Sequence, residues 1–325
     1  MFTLRQLEYF VAVAEEGTMS AAAQRLRLSQ SAISLAITDL ERALAVQLLM
    51  RRKARGVVLT SAAREVLPEM RRLLAHASDL QSAARDVGQT ASGELALGCY
   101  PTLTPFLVPE ILRGLPTEQP TLTVRLFEGS VTEMVERLLD GTCEVALMYD
   151  LGVGPEVETT MLYRVRPYVL LPAEHRLAAP GPVSLRELED EPMVMLDMPP
   201  SATMFREVLA TAGVTPKVRF TSASFESVRS LVASGAGYSL LLQRPSQAST
   251  YAGPPVVHRE IAEDVLQVDV VLALARDARP TRRVRAFADF CRATFAAPNS
   301  PAMPGRGAHL PPLADGDRAP VTATR

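Results

Sequence analysis

The sequence predicts an α/β protein that begins with a winged helix-turn-helix. Three observations lead to this fold class. Residues 4–44 contain three helix patterns separated by turns of two or three residues. Two short β-leaning pieces then flank Gly56, and from Gly93 onward strand patterns alternate with helix patterns. Such alternation is typical of a sheet with parallel strands, so a small helical front precedes a larger α/β part.

The composition is that of an ordinary globular protein with two or three domains. The chain has 325 residues, of which 47% are hydrophobic and 22% are charged. No run reaches the roughly 18 to 20 apolar residues of a membrane span. Glutamates stand where a signal peptide has its apolar centre, so we expect the protein to be cytoplasmic and not to bind a membrane. Residues 1–88, which we call the front, carry a net charge of +3, and residues 89–297 carry −6. The positive charge makes the front the part of the chain suited to binding phosphate groups.

The first three helices have recognisable starts and stops. Apolar residues recur at helical spacing from Leu4, and Gly17 ends that first helix. Thr18 caps a short second helix, "MSAAAQRL", whose alanines let another helix approach closely. The residues "RLS" allow only a tight turn before Ser29 caps the third helix. This order of elements is the helix-turn-helix pattern.

The third helix, "QSAISLAITDLERAL", has one apolar face and one face of small polar residues. Its apolar residues pack on the first two helices, while the opposite face has few charges, whereas a solvated face is usually rich in them. Small polar side chains suit a helix that lies deep in the major groove of DNA, where Gln bonds base edges and Ser or Thr bonds bases or phosphates. Leu35 lies beside this face and either contacts thymine methyl groups or covers a neighbour. The polar face comprises Gln30, Ser31, Ser34, Thr38 and Glu41.

The stretch "QLLMRRKARGVVLTS" predicts a wing, since two β-leaning pieces meet at Gly56. Four basic residues cluster at its tip, where they meet DNA phosphates or remain solvated. They are Arg51, Arg52, Lys53 and Arg55.

Residues 61–87 form one long helix pattern with a continuous apolar stripe. We expect no domain of its own chain to cover that stripe, so a partner helix from a second chain is the natural solution. The predicted dimerisation residues are Val66, Met70, Leu73, Leu74 and Leu80.

From residue 89 the chain is predicted to form two α/β lobes that it crosses between twice. The first lobe takes about 89–166 and 269–297, and the second takes about 167–268. Residues 298–325 contain six prolines and few large apolar groups, which predicts a disordered tail. The remaining boundaries are 1–60 for the winged helix-turn-helix and 61–88 for the linker helix.

Residues 4–74 resemble the winged helix-turn-helix and linker helix of the LysR-type transcriptional regulators. The segment "LRQLEYFVAVAEEGTMSAAAQRLRLSQSAISLAITDLERALAVQLLMR" follows that pattern nearly position by position. The family usually has Arg where Leu35 stands, Gly at Ala45, Phe at Leu49 and Gly at Ala63. The resemblance implies operator DNA as a partner, with Gln30, Ser31 and Ser34 at the DNA-reading end of the third helix and Arg51 and Arg52 at the wing. Thr18, Leu35 and Thr38 complete the predicted DNA contacts of the helices.

The same resemblance implies that the two lobes adopt the periplasmic-binding-protein fold and form an effector domain for a small molecule. It also implies a homodimer or homotetramer and contact with RNA polymerase. A cleft between two such lobes is the default ligand site. Ser and Thr at helix starts near it attract polar oxygens, although plain N-capping requires the same residue types. The predicted effector contacts are Tyr100, Thr102, Leu103, Ser130, Tyr149, Asp150, Ser201 and Phe225.

Enzyme classes find little support in the sequence. The four histidines share no spacing with a nucleophile or with metal ligands, and no glycine-rich phosphate loop is present, so we expect no cofactor and no metal. The three cysteines are far apart, and residues 167–268 contain none, which argues against a peroxide sensor. A ligand-independent DNA-binding protein and a small-molecule receptor without a regulatory role remain the alternatives.

Overall fold

The computed structural model describes residues 1–52, 56–85, 91–251 and 253–295. The front of the chain folds as the sequence predicts. Helices α1 (Leu4–Glu16), α2 (Met19–Leu26) and α3 (Gln30–Leu44) precede the strands β1 (Leu49–Arg52) and β2 (Gly56–Leu59). Thr18 and Ser29 cap α2 and α3 through their hydroxyl oxygens, and Gly17 ends α1 in the left-handed conformation. The predicted helix-turn-helix and wing are therefore confirmed as structural elements.

The wing is a pair of antiparallel strands that contacts the turn after α1. Its register runs from Leu49 opposite Leu59 to Arg52 opposite Gly56. Gly56 has φ of +75°, and a Cβ atom there would lie 2.6 Å from the Gly17 carbonyl oxygen. The amide of Val57 donates to that same oxygen. Only glycine permits both this conformation and this close approach.

Helix α4 (Ser61–Arg85) follows the wing and packs its first half into the core of the front. Ala63, Leu67 and Met70 are buried there beside residues of α1 and α3. Met70, one of the predicted dimerisation residues, packs into this core of its own chain. Leu74 is partly buried against the same core, whereas Leu73 and Leu80 are 44% and 71% exposed.

The first lobe is built on a five-stranded sheet in the order β4-β3-β5-β12-β6. Strands β3 (Gly93–Cys99), β4 (Leu122–Glu128) and β5 (Val145–Tyr149) run parallel, as expected. Strand β12 (Val268–Ala275) is antiparallel to β5 and to β6 (Val157–Val165), so the sheet is mixed. Its helices are α5 (Thr104–Glu118), α6 (Val131–Leu139) and α9 (Arg282–Phe295).

The second lobe begins where the chain leaves β6 and enters β7 (Tyr168–Pro172). It contains a three-stranded sheet in the order β10-β7-β11 and a parallel pair of β8 and β9. Its further elements are β8 (Pro192–Leu196), α7 (Ser201–Thr211), β9 (Lys217–Ser222), α8 (Phe225–Ala233), β10 (Ser239–Leu241) and β11 (Val256–Glu260). The chain returns to the first lobe through β12, and one continuous apolar core includes residues of both lobes.

Candidate functional site

The N-terminal end of α3 presents a row of exposed side chains. Gln30, Ser31, Leu35 and Thr38 are exposed, and Ser34 is half-buried. Ile33, Ile37 and Leu40 on the opposite face are buried, so the helix stands with its apolar side in the core. Leu35 is 64% exposed and therefore does not cover a neighbour in the chain.

Contacts within the front already orient part of this face. The Ser20 hydroxyl of α2 lies 3.1 Å from Oε1 of Gln30, and the hydroxyls of Ser29 and Ser31 lie 3.0 Å apart. The Thr38 hydroxyl donates to the Ser34 carbonyl, 2.9 Å away, within the helix. A hydrogen bond from the neighbouring helix therefore positions the Gln30 side chain, which remains exposed to solvent.

The spacing of the sequence groups Glu41 with the polar face, and the structure corrects this. Its Oε1 atom accepts hydrogen bonds from the amides of Leu48 and Leu49, at 2.7 and 3.0 Å. These amides lead into β1, so Glu41 fixes the start of the wing. The main chains of Arg51 and Arg52 lie in β1, but their side chains are outside the described part of the chain, as are Lys53 and Arg55.

Hydroxyl groups bridge the two lobes at the end of β3. Tyr100 follows that strand and is fully buried. Its hydroxyl lies 3.0 Å from the Ser201 hydroxyl at the start of α7, and 3.3 Å from the Met198 carbonyl oxygen. Burial raises the pKa of Tyr100 to about 12, so this hydroxyl stays neutral and keeps its proton to donate.

A second set of polar groups lies beside this bridge. The hydroxyls of Thr102 and Tyr149 are 3.2 Å apart, and the amide Nε2 of Gln243 donates to the Tyr149 hydroxyl at 3.2 Å. The rings of Tyr100 and Tyr149 meet edge to face with centroids 5.3 Å apart, which joins the two sets. Gln243 is almost completely buried and follows β10 of the second lobe. We call Tyr100, Thr102, Tyr149, Ser201 and Gln243 the seam network.

The remaining predicted cleft residues have different structural roles, as a helix cap, an exposed carboxylate or a core residue. Ser130 caps α6 in a reciprocal capping box with Glu133, which occupies its hydroxyl. Asp150 is exposed, and Leu103 is an apolar core residue at the N-cap of α5 without a side-chain cap bond. Thr102 precedes α5 and does not cap it, because Leu103 is the N-cap and the helix begins at Thr104.

Phe225 begins α8 and contacts an aromatic residue from the other lobe. Its ring lies 6.0 Å from that of Phe106 on α5, in an edge-to-face arrangement. The sequence did not indicate Phe106 or Gln243 as site residues. Phe106 is an apolar residue in the first turn of α5 and Gln243 follows β10, so only the assembled lobes reveal that each contacts a residue of the other lobe.

The cysteines offer no reactive thiol. Cys99, Cys143 and Cys291 are all buried and free. Burial raises the pKa of Cys99 and of Cys143 to about 12 and raises that of Cys291 as well, so the thiolate form is disfavoured at all three. In the described ranges no group of His, Cys, Asp and Glu side chains is arranged to hold a metal ion.

Residues 88–296 match the family described as LysR substrate binding domain. Residues 4–64 match the family described as bacterial regulatory helix-turn-helix protein, lysR family. The chain belongs to the LysR family of transcriptional regulators. The family predicted from residues 4–74 is thereby confirmed, as is the fold class.

Three LysR-family relatives are similar over nearly the whole chain. The HTH-type transcriptional regulator TfdS of Cupriavidus pinatubonensis is 31% identical over 89% of this chain and 97% of its own. A full-length OxyR variant from Pseudomonas aeruginosa has a TM-score of 0.72 and 25% identity, over 90% of this chain and 98% of its own. CbnR, solved with its target DNA, has a TM-score of 0.61 and 26% identity, over 90% of this chain and 99% of its own.

These findings assign the two halves of this LysR-family protein. The front is a DNA-binding helix-turn-helix domain, and the two lobes are the substrate-binding domain of a transcriptional regulator. Among the described residues, none of the helices has the length and apolar character needed to cross a membrane.

Proposed function

We propose that a small molecule bound between the two lobes switches this regulator and that the seam network is its binding site. The observation that carries the proposal is the hydroxyl pair of Tyr100 and Ser201, which joins the lobes across 3.0 Å. A ligand that hydrogen-bonds to either hydroxyl replaces a contact between the lobes. Its binding then favours a different lobe spacing, to the extent that its affinity differs between the two arrangements.

The seam network also indicates the chemistry of the ligand. It offers hydroxyl groups and one carboxamide, all neutral. The aromatic rings of Phe106 and Phe225 also meet between the same two lobes. Such groups fit a flat or compact molecule with polar oxygens rather than a strongly charged one. Asp150 and Asp197 are exposed, so their carboxylates do not set the charge preference of the buried network. The proposed effector contacts are therefore Tyr100, Thr102, Tyr149 and Ser201, as predicted, together with Gln243.

At the other end of the molecule, α3 is proposed to read an operator in the major groove. Gln30 and Ser31 approach base edges, Leu35 contacts a thymine methyl group, and Ser34 and Thr38 are next along the helix. Thr18 lies at the start of α2, where a backbone phosphate fits, and Arg51, Arg52, Lys53 and Arg55 supply phosphate contacts from the wing.

We propose that the protein dimerises through the exposed part of α4, where Leu73 and Leu80 are exposed and do not pack into the core formed by α1 to α3. Val66 and Leu74 border that surface. Two winged helices then lie about one helical turn of DNA apart, or a multiple of it, and lobe contacts extend the dimer to a tetramer. We further propose that the regulator contacts RNA polymerase, acts in the cytoplasm and has no enzymatic activity. The proposed domains are the winged helix-turn-helix up to residue 60, the linker helix up to residue 88 and the effector domain up to residue 297.

A thermal-shift screen of metabolites on the full-length protein tests the ligand proposal. A compound that raises the melting temperature is then measured by calorimetry on Tyr100→Phe, which removes one hydroxyl and keeps the ring. We expect at least about tenfold weaker binding, since a buried polar group loses its partner. Tyr238→Phe is the matched control, because the Tyr238 hydroxyl is buried without a hydrogen-bond partner in the described structure. Equal affinity for both variants contradicts the proposed site.

A further inference from the structure

A groove separates the linker helix α4 from the first lobe; its lining residue Glu144 precedes β5, whereas Tyr149 of the seam network ends that strand. The groove is open to solvent, and the roughly 490 Å³ of empty space between and above its walls includes part of that solvent. Its apolar floor includes Leu138, Leu274 and Val284, and the guanidinium groups of Arg71 and Arg72 line the side formed by α4. The groove therefore combines an apolar surface with cationic groups.

Specific contacts hold α4 and the lobe together around this groove. Nη1 of Arg71 donates to the Asp140 carbonyl oxygen at 3.0 Å and pairs with the Asp140 carboxylate at 3.1 Å. Further along α4, the carboxylate of Asp79 accepts from the amide of Arg282 at the start of α9, at 2.9 Å. Gly141, with φ of +70°, brings the turn after α6 close to Pro68 and Arg71 of α4. The groove is thus part of a joint between the linker helix and the first lobe.

Two arginine donors in the groove wall lack acceptors. The Nε atoms of Arg71 and Arg72 are buried and have no hydrogen-bond partner within the described structure. The terminal nitrogens of Arg72 are in use, because Nη2 donates to the Leu139 carbonyl oxygen and Nη1 pairs with Glu69. A buried N–H group without an acceptor is costly, so these two Nε–H groups indicate a place where an acceptor binds.

The carboxylate that lines the groove and the carboxylates that contact its arginines are already in ion pairs. Glu144, which lines it, is held by the guanidinium of Arg283, with Nη2 at 2.9 Å and Nε at 3.0 Å. The carboxylates of Asp140, Glu69 and Glu15 pair with the terminal nitrogens of Arg71 and Arg72. Arg279 also lines the groove and is exposed. An entering anion therefore meets cationic donors and no unpaired carboxylate among the lining residues described.

We propose that this groove is a second small-molecule site, distinct from the seam network, for a small carboxylate with an apolar body. The carboxylate accepts from the Nε–H groups of Arg71 and Arg72, and an aromatic or branched aliphatic body covers the apolar floor. Because the groove lies in the joint, its occupant fixes the linker helix relative to the first lobe. Binding there adds a second input to the regulator, independent of the seam.

The test uses 4-fluorobenzoate and, as its uncharged counterpart, 4-fluorobenzamide, each observed by ¹⁹F NMR line broadening on the full-length protein. We expect the carboxylate to bind and the amide to bind at least about tenfold more weakly, since it lacks the charge-assisted contacts. Arg72→Gln should weaken carboxylate binding by a similar factor. Arg113→Gln is the matched control, because Arg113 lies on α5, pairs with Glu110 and does not line the groove.

Two further variants locate the bound probe. Ala75→Phe fills the groove from α4 without changing its charge and should abolish binding. Thr102→Val alters the seam network and should leave binding unchanged. The proposal is overturned if Arg72→Gln and Ala75→Phe bind the probe like the unmodified protein, if Thr102→Val abolishes binding, or if no broadening occurs up to about 5 mM probe. Binding confined to the seam would overturn this proposal and leave the proposed function intact.

Discussion

Leu35 is the residue at which the reading helix departs from its family pattern. An exposed leucine beside Gln30 and Ser31 has no hydrogen-bonding group to offer a base, and its 64% exposure leaves it available to a partner. In the major groove the apolar feature of a base pair is the 5-methyl group of thymine. At the usual arginine position, we therefore expect an apolar side chain to shift specificity from hydrogen-bonded bases toward thymine.

Leu35→Ala should weaken operator binding about fivefold, which corresponds to roughly 1 kcal/mol of lost apolar contact. Replacing thymines of the operator one at a time by uracil, which lacks only the methyl group, should reproduce the loss at one position. That replacement should have no further effect in Leu35→Ala. Leu112→Ala is the control, because Leu112 is 54% exposed on α5 in the first lobe. A uracil scan with no sensitive position removes Leu35 from base reading.

His258 makes the stability of the second lobe depend on pH. Its ring meets that of Tyr168 edge to face at 5.0 Å, and its Nε2 atom is buried without a partner in the described structure. Burial, and then the nearby guanidiniums of Arg244, Arg229 and Arg259, lower the pKa of His258 from 6.5 to about 4. The unfolded chain therefore takes up a proton at a higher pH than the folded chain does.

This contribution to stability is complete above pH 6.5 and is lost as the pH falls toward 4. At pH 5 the loss is about 2 kcal/mol. His258→Gln, which does not titrate, should lose correspondingly less free energy of unfolding between pH 7 and pH 5. Urea unfolding at the two pH values measures this difference. Identical losses in the variant and the unmodified protein would show that His258 is not the group responsible.

At the scale of the element, the wing depends on α3. Glu41 accepts hydrogen bonds from the consecutive amides of Leu48 and Leu49, two buried residues whose amides need an acceptor within the protein. The carboxylate thus couples the position of the reading helix to that of the wing. Hydrogen bonds to a charged acceptor contribute about 1.5 to 3 kcal/mol each.

Glu41→Ala should speed amide exchange at residues 48 and 49 by about tenfold or more, because both donors lose their acceptor. Hydrogen exchange followed by mass spectrometry on peptides from the wing measures this. Glu65→Ala removes an exposed carboxylate from α4 and is the matched control. Unchanged protection in Glu41→Ala would mean that other contacts position the wing.

Local signals predicted the elements of the front well and the role of α4 less well. Thr18, Ser29 and Gly17 act where they stand in the sequence, since capping depends on a few neighbouring residues. The apolar stripe of α4 looks uniform in sequence, yet Met70 joins the core of the front and Leu80 does not. Which neighbour covers a given turn of a long helix depends on the tertiary arrangement, which periodicity does not contain.

At the scale of the whole molecule, the lobes were predictable and their contacts were not. Alternating strands and helices indicated two α/β units, but Gln243 and Phe106 reach the seam only because distant segments meet there. The same holds for the groove beside α4, where Arg71 and Glu144 come from different parts of the chain. Sequence patterns report local burial, whereas a site between lobes depends on how they pack.

Regulation by the whole molecule depends on specific DNA binding by α3, and one measurement tests that binding most directly. Binding of the purified protein to DNA from its own upstream intergenic region is compared with binding to unrelated DNA at two salt concentrations. We expect at least about a thousandfold preference for the upstream DNA and steep weakening by salt. Gln30→Ala should lower the specific affinity more than tenfold and leave the unrelated DNA nearly unaffected. Equal, weak binding to both DNAs, or a Gln30→Ala variant with full specificity, would contradict the account.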